Sequence, residues 1–302
     1  MDLQALRFFV AAADAGSFSA AAASLHYAQS NLSNRIRQLE EELGEPLFYR
    51  YKRGVRLTAK GKIFYDYTRR ILALSEEAVT VIRDMDHPRG KLTLGSLEAT
   101  ALHDLPGLLS SYHKVSPDVT LSLQTDMNDV FPSQVLLRKL DGAFVTGPVS
   151  HPELEERFFK TEHLILVGSA DAPWTGAEAA LLEAPLITFP EGSAFRRRLE
   201  LLLSSKSLSF RERLTEFNSL GAMITNICAG LGCGYMPRTV AASYLSQGLM
   251  REYPLEDPFS PMEVVFIYRK DHVMDAAFRT FLQQLVQAEQ LLRKTCESVL
   301  PV

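Results

Sequence analysis

The stretch FSAAAASLHYAQSNLSNRIRQLEEELG, residues 18–44, decides the fold. It opens as a near-featureless run of alanines and closes as a segment crowded with hydrogen-bonding side chains. Leu32, Ile36, Leu39 and Leu43 fall at spacings of 4, 3 and 4, one apolar stripe with the helical period. Gly44 and Pro46 end it. Off the stripe stand Gln29, Ser30, Asn31, Ser33, Asn34, Arg35, Arg37 and Gln38, most of them in the first two turns. Such side chains donate to and accept from base edges and phosphates, and a helix N-terminus adds backbone donors for a phosphate. The alanines before it, capped by Ser17 or Ser19, allow close approach of backbones and predict a short bracing helix through Leu25. With a turn at His26–Ala28 between them, the pair predicts a helix-turn-helix whose second helix, Gln29 to Leu43, reads a major groove.

Upstream, residues 2–15 predict a helix: Asp2 caps it, Leu3, Leu6, Phe9, Val10 and Ala13 share a face, and Gly16 ends it. Downstream, LFYRYKRGVRLTAKG at 47–61 alternates apolar and basic residues around Gly54. That pattern predicts a two-stranded wing, with Arg50, Lys52, Arg53 and Arg56 set to straddle phosphates or enter a minor groove. The charge agrees. Residues 46–70 hold eight basic residues against one acid, Asp66, on a chain whose net charge is -4. A basic segment on an acidic protein points to a local site for a polyanion. Thr58 caps a further helix, expected from Ala59 to about Asp86. On it Phe64, Tyr67, Ile71, Leu74, Ala78, Val81 and Met85 are spaced 3, 4, 3, 4, 3 and 4, a heptad seam. A self-complementary seam beside a DNA reader predicts a two-fold dimer with two reading helices on two half-sites. DHPRGK at 86–91 breaks the pattern and marks a domain boundary.

The bulk composition bounds the rest. With 302 residues, 46% hydrophobic and 23% charged, the chain suits two or three globular domains. It has no apolar run long enough to predict a membrane span. The N-terminal MDLQALRFFVAAADAG lacks a basic n-region and a small-residue cleavage site, so a mature cytoplasmic start is expected. Three cysteines, Cys228, Cys233 and Cys296, are too few for a disulfide framework.

From Lys91 onward strand and helix patterns alternate. KLTLGS, VTLSLQTD, GAFVTG, HLILVGS, LITF, RLTEFN, CGYMP and MEVVFIYRK read as strands, with helical segments among them and a closing helix over 273–298. The repetition predicts an open, mainly parallel sheet covered on both faces, in two lobes with a crevice. Ligands in such folds sit beyond the carboxyl ends of the strands, against helix starts. Ser96, Glu98 and Thr100 fall there, as do Thr125, Asn128, Thr146, Ser193, Asn218 and Ser219. Hydroxyls and amides suit a small anionic or zwitterionic metabolite, although each also serves as an ordinary cap or turn residue. Glu98 opposes a simple anion unless it pairs with Arg196 or a ligand amine. No metal-ligand spacing appears, and the glycines of AGLGCG follow a helix where a dinucleotide loop would follow a strand, so no cofactor, metal or catalytic set is expected. Cys228 and Cys233 leave a thiol redox sensor open, beside the blander reading as small buried hydrophobes.

Residues 1–88 resemble the N-terminal region of LysR-type transcriptional regulators. LRFFVAAADAGSFSAAAASL, AQSNLSNRIRQLEEELGEPLF and RLTAKG carry the resemblance, an ordered pattern more specific than a generic helix-turn-helix. It implies that Gln29, Ser30, Ser33 and Arg35 lie on the recognition helix, Arg50 and Arg53 on the wing, and Thr58 at the polar cap of the linker helix. Many members carry Pro where this chain has Ser30. The resemblance implies paired linker helices and, commonly, homotetramers built from two dimers. It also implies a two-lobed effector domain similar to periplasmic solute-binding proteins, crossed twice by the chain near Thr161–Glu162 and near Phe266–Tyr268. Its ligand positions match Ser96, Thr100, Thr146 and Ser193.

The expectation is therefore an α+β protein. It has a winged helix-turn-helix at 1–58, a linker dimerisation helix at 59–88 and a periplasmic-binding-protein-like α/β effector domain at 89–302, with lobe I at 91–161 and 267–302 and lobe II at 162–266. The expected function is a cytoplasmic, non-enzymatic transcription regulator. It would bind an interrupted palindrome in double-stranded DNA, answer to a small-molecule effector and act with RNA polymerase as a further partner. Two alternatives stay open: a second half serving only oligomerisation, and the Cys228/Cys233 redox sensor.

Overall fold

The computed structural model describes residues 1–51, 54–83, 87–208, 213–256 and 258–299, without the side chains of 76–77, 80–83 and 293–299. The chain divides into two compact units, with the main division between residues 85 and 86.

The first unit opens with α1 (Leu3–Ala15), whose N-cap Asp2 accepts the Ala5 N–H at 2.8 Å and whose C-cap Gly16 is left-handed. Ser17 caps α2 (Phe18–Ser24), and His26, at φ 59°, turns the chain into α3 (Gln29–Leu43). The wing is an antiparallel pair, β1 (Phe48–Tyr51) and β2 (Gly54–Leu57), in register from Phe48↔Leu57 to Tyr51↔Gly54. The long helix α4 (Ala59–Arg83) follows. Phe8, Phe9, Phe18, Leu32, Ile36, Leu39, Leu47 and Phe48 form one buried cluster, so the stripe of α3 lies inside with the aromatics of α1 and β1. Leu43, the last member of the predicted stripe, is exposed. The wing is tied to the bracing helices by the Val55 N–H, which donates to the Gly16 carbonyl at 2.8 Å. Gly54, at φ +143°, is needed there: a Cβ would lie 2.4 Å from that same carbonyl oxygen.

The second unit contains, in chain order, β3 (Gly90–Ser96), α5 (Glu98–His103), α6 (Leu105–Val115), β4 (Val119–Thr125), α7 (Val130–Leu136), β5 (Gly142–Thr146) and β6 (Leu154–Ser169). These are followed by α8 (Ala177–Glu183), β7 (Leu186–Thr188), α9 (Ala194–Ser205), β8 (Leu214–Glu216), α10 (Leu220–Cys228) and β9 (Cys233–Pro237). The last elements are α11 (Arg238–Ser246), β10 (Met250–Tyr253), β11 (Pro261–Arg269) and α12 (Ala276–Val299). The strand order is β4-β3-β5-β11-β6-β9-β7-β8, with β10 paired to β6. The expected mainly parallel sheet is instead mixed. β3 pairs in parallel with β4 and β5, and β7 with β8 and β9. β6 and β11 run antiparallel to each other and to their other neighbours. The cause is the long β6, which belongs to both halves: its first part pairs with β11 and its second with β9 and β10.

The outward crossing lies on β6 around Glu162–Leu164. The return crossing falls earlier than the expected Phe266–Tyr268, because β11 pairs with β5 and β6 along its length. It sits at Ser260–Pro261, where the Leu164 N–H donates to the Ser260 carbonyl and the Ser260 hydroxyl donates back to the Leu164 carbonyl. Along β11 the strand period sorts the core: Val264, Phe266 and Tyr268 pack with Phe278 and Phe281 of α12, while Val265 and Ile267 pack with Phe131 and Val135 of α7. A third cluster, around Leu166, Ile187, Met223 and Met236, fills the other lobe. A buried charge network stands at the crossing. Lys160 Nζ lies 2.8 Å from Asp104 Oδ1 and 2.5 Å from Glu162 Oε2, and the Thr239 hydroxyl donates to the same Glu162 oxygen. Burial pulls the Lys160 pKa down, but the two carboxylates outweigh it and hold the ammonium charged.

Candidate nucleic-acid interface and effector cleft

On α3, Leu32, Ile36 and Leu39 are buried, whereas Gln29, Ser30, Asn31, Asn34, Arg37 and Gln38 are exposed. One helix thus anchors by one face and offers hydrogen-bonding groups on another. Its N-cap is Ala28, which supplies no side-chain cap, so the first backbone N–H groups of α3 stay open to an anion. Ser33 is half-buried. Arg35 is also half-buried, with its guanidinium pairing with Asp2 and donating to Gln38. The Ala5 N–H, with help from Arg35, holds the Asp2 carboxyl below the usual carboxylate range.

The wing shows where the sequence reading needs amendment. Arg50 is exposed but ion-paired: its guanidinium lies 2.7 Å from Glu40 Oε2 and over the Phe18 ring. Glu40 uses its other oxygen to accept the N–H groups of Leu47 and Phe48, so this acid of α3 positions β1. Thr58, expected among the DNA-binding residues, is buried: its hydroxyl donates to the Pro46 carbonyl and accepts the Gly61 N–H, making it the cap of α4. Arg53 lies outside the described residues. Tyr49 and Tyr51, which the sequence reading passed over, are exposed on β1.

On α4 the expected seam divides. Tyr67, Ile71, Leu74 and Ala78 are exposed, as a free apolar edge requires. Phe64 is not on that edge: its ring sits 5.1 Å from that of Phe9, and with Tyr65 and Leu72 it packs on the unit's own core. Ile63, 61% exposed, takes its place on the open side. The side chain of Val81, and Met85 altogether, fall outside the described residues.

The second unit holds a cleft of about 290 Å³ between its lobes. One lobe contributes Leu97, Glu98 and Ala99 after β3, Thr125 at the end of β4, and Asp126, Met127 and Asn128 after it. The other contributes Phe189 after β7, Ser193, Ala194 and Phe195 at the start of α9, and Asn218 after β8. Of the expected residues, Glu98, Thr125, Asn128, Ser193 and Asn218 meet there. Ser96, Thr100 and Thr146 do not. Ser96 is fully buried, its hydroxyl donating to the Leu97 carbonyl, and Thr100 is buried within α5. The Thr146 N–H donates to Asn128 Oδ1, which fixes the loop after β4, and its hydroxyl reaches Met262. Glu98 bridges the lobes by accepting the Leu220 N–H at 3.0 Å. It does not pair with Arg196, which is held by Glu200 and Glu216 with Glu191 nearby. Asp126, Phe189 and Phe195 are lining residues that strand and helix patterns did not single out.

Cys228 and Cys233 offer little for redox chemistry. Cys233 is buried in β9 and burial pushes its thiol up to about 12; the half-buried Cys228 is raised by the same cause. Protonated thiols are poor nucleophiles. Among the described residues no cluster of His, Cys, Asp and Glu has the geometry to hold a metal ion, and no helix is long and apolar enough to cross a membrane.

Comparison with known proteins follows this division of the molecule. Residues 3–62 match the family described as bacterial regulatory helix-turn-helix protein, lysR family, and residues 85–290 match the LysR substrate binding domain. The chain belongs to the LysR family. The HTH-type transcriptional regulator GltR of Bacillus subtilis is 36% identical over 293 residues, 97% of this chain and 99% of that protein. The regulator CzcR of Bacillus thuringiensis is 37% identical over 289 residues, 94% of this chain and 97% of its own length. Among solved structures, a full-length OxyR variant from Pseudomonas aeruginosa superposes with a TM-score of 0.73 at 22% identity, covering 96% of this chain and 95% of that one. Full-length CbnR complexed with its target DNA gives 0.69 at 22% identity, covering 95% of this chain and all of that one. These two likenesses establish a shared fold. This LysR-family chain is a DNA-binding transcriptional regulator with an effector-binding domain.

Proposed function

We propose that the exposed face of α3 enters a major groove, that α4 pairs two chains through Ile63, Tyr67, Ile71, Leu74 and Ala78, and that the cleft is the effector site. One observation carries the reading: α3 buries Leu32, Ile36 and Leu39 while its uncapped N-terminus and Gln29, Ser30, Asn31 and Asn34 stay free. Duplex recognition needs that division, with a rigid inner stripe and an outer row of donors and acceptors. Pairing through α4 places two such helices on an interrupted palindrome. The functional boundaries follow as 1–58 for the head, 59–88 for the linker and 89–302 for the effector domain. Dimers of dimers, contact with RNA polymerase, a cytoplasmic location and the lack of catalysis belong to the same proposal.

In this mechanism a small molecule in the cleft favours one pose of the two lobes and with it one arrangement of subunits on DNA. A coupling of about 1–3 kcal/mol between effector and DNA is enough for such a switch. A DNase I footprint over the region upstream of the protein's own gene tests the DNA half. Two protected half-sites are expected, and Gln29→Ala or Asn34→Ala should abolish sequence preference while the protein stays folded. Retention of full preference by both variants would remove α3 from the interface.

A further inference from the structure

The charge inventory of the cleft, on the reading of that cleft as the effector site, narrows the chemistry of what it binds. Its described lining carries two carboxylates, Glu98 and Asp126, and no Lys, Arg or His. Arg196, the residue after Phe195, is already bound by Glu200 and Glu216. A ligand carrying only a carboxylate would therefore meet two like charges with no side-chain counter-ion in a partly desolvated space.

The geometry favours the opposite charge. Glu98 is half-buried, and its Oε2 accepts the Leu220 N–H from the facing lobe; a carboxylate accepts at both oxygens, so a second acceptor remains. Asp126, the residue after β4, is exposed and accepts the Met127 N–H through Oδ1. Beside the uncharged polar residues Thr125, Asn128, Ser193 and Asn218 the wall has an apolar part: the Phe189 and Phe195 rings stand 5.7 Å apart at 50°, with Leu97 and Met127 also in the lining. Aromatic faces attract an ammonium and bury a hydrocarbon body.

We infer that the effector is a small ammonium compound, its protonated amine received by Glu98 and Asp126 and its apolar body lodged against Phe189, Phe195, Leu97 and Met127. A zwitterion meets this requirement through its amine. A simple carboxylate does not, which departs from the anionic class that the hydroxyls and amides of the sequence suggest. Because Glu98 also joins the lobes, the ammonium binds at the contact that sets their relative pose.

The test uses the full-length protein and matched compounds on phenyl, isobutyl and butyl bodies: the amine, the amino acid, the N-acetylated amine and the carboxylate alone, for the phenyl body phenethylamine, phenylalanine, N-acetylphenethylamine and 3-phenylpropionate. Calorimetric titration should give amines or amino acids at least about tenfold tighter binding than the N-acetylated and carboxylate members of the same set. Glu98→Gln keeps an acceptor for the Leu220 N–H and Asp126→Asn alters an exposed side chain, so both variants should fold. Each should weaken amine binding by about tenfold or more, the scale of a lost charge-assisted hydrogen bond. A carboxylate that binds as tightly as its matched amine overturns the inference, as does amine binding indifferent to both substitutions. If every set is silent while an unbiased metabolite library raises the wild-type melting temperature, the ammonium assignment falls and the effector site stands. If the library is silent too, both fall.

Discussion

On α3 the inner residues Leu32, Ile36 and Leu39 are buried, while Ser30, Asn31 and Asn34, one or two positions away, are exposed. In the cleft, Glu98, Asn128, Ser193 and Asn218 arrive from four strand-to-helix or strand-to-loop junctions scattered over the second unit. A single helix makes the first surface, and its outer side chains are independent of the packing beneath them. The second surface exists only where two lobes meet, so its residues are bound up with the pose of those lobes. A rigid reader and a deformable sensor are what a ligand-responsive regulator needs from its two halves.

The lobe junction is where the largest effect is expected. Lys160→Met would leave Asp104 and Glu162 buried without their cation and should cost about 3–5 kcal/mol of stability in denaturant unfolding followed by a probe of the second unit. A loss below about 1 kcal/mol would mean that the network does not hold the lobes. Within α3 the contrast between faces can be read directly. Ile36→Ala should cost about 2–5 kcal/mol, whereas Asn34→Ala should stay within about 0.5 kcal/mol and act on DNA affinity instead. Equal stability losses would erase the division between anchor and reader.

The wing gives a smaller test. Gly54→Ala sets a Cβ 2.4 Å from the Gly16 carbonyl at φ +143° and should cost about 1–3 kcal/mol by thermal unfolding. Arg50→Ala removes an exposed ion pair with Glu40, so its stability cost should be under about 1 kcal/mol. If Arg50 exchanges Glu40 for a phosphate on binding, the salt dependence of DNA affinity should flatten by about one unit of slope. An unchanged slope would leave it solely as the strut of β1. The smallest effect concerns the thiols: with Cys233 and Cys228 both pushed towards the protonated form, hydrogen peroxide at neutral pH should leave DNA binding unchanged. A reversible loss of binding that Cys233→Ser abolishes would restore the redox alternative.

The same contrast explains what the sequence could show. The stripe of α3, the caps at Asp2, Ser17 and Gly16 and the wing around Gly54 are local patterns, and local periodicity displays them. The heptad on α4 misplaced Phe64 because Ile63 and Phe64 are neighbouring apolar residues and the helix serves two faces, one towards Phe9 and one outward. The cleft was legible only as strand ends. Ser96, Thr100 and Thr146 carry the right chemistry and follow the right strands, yet Ser96 and Thr100 are buried and the Thr146 hydroxyl is directed to Met262. Asp126, Phe189 and Phe195 come together only once β6 and β11 have joined the lobes. The mixed sheet escaped for the same reason: only HLILVGS, the second part of β6, reads as a strand, and the first part, which pairs antiparallel with β11, does not.

Selection of full-length protein on random-sequence duplex DNA, with the recovered sequences read out, puts the role of α3 as the DNA reader to the test. Enrichment of an inverted repeat is expected, with its half-site preference lost in a Gln29→Ala/Ser30→Ala/Asn34→Ala variant of unchanged stability. Enrichment of the same repeat by that variant, or none by the wild type, would contradict that role.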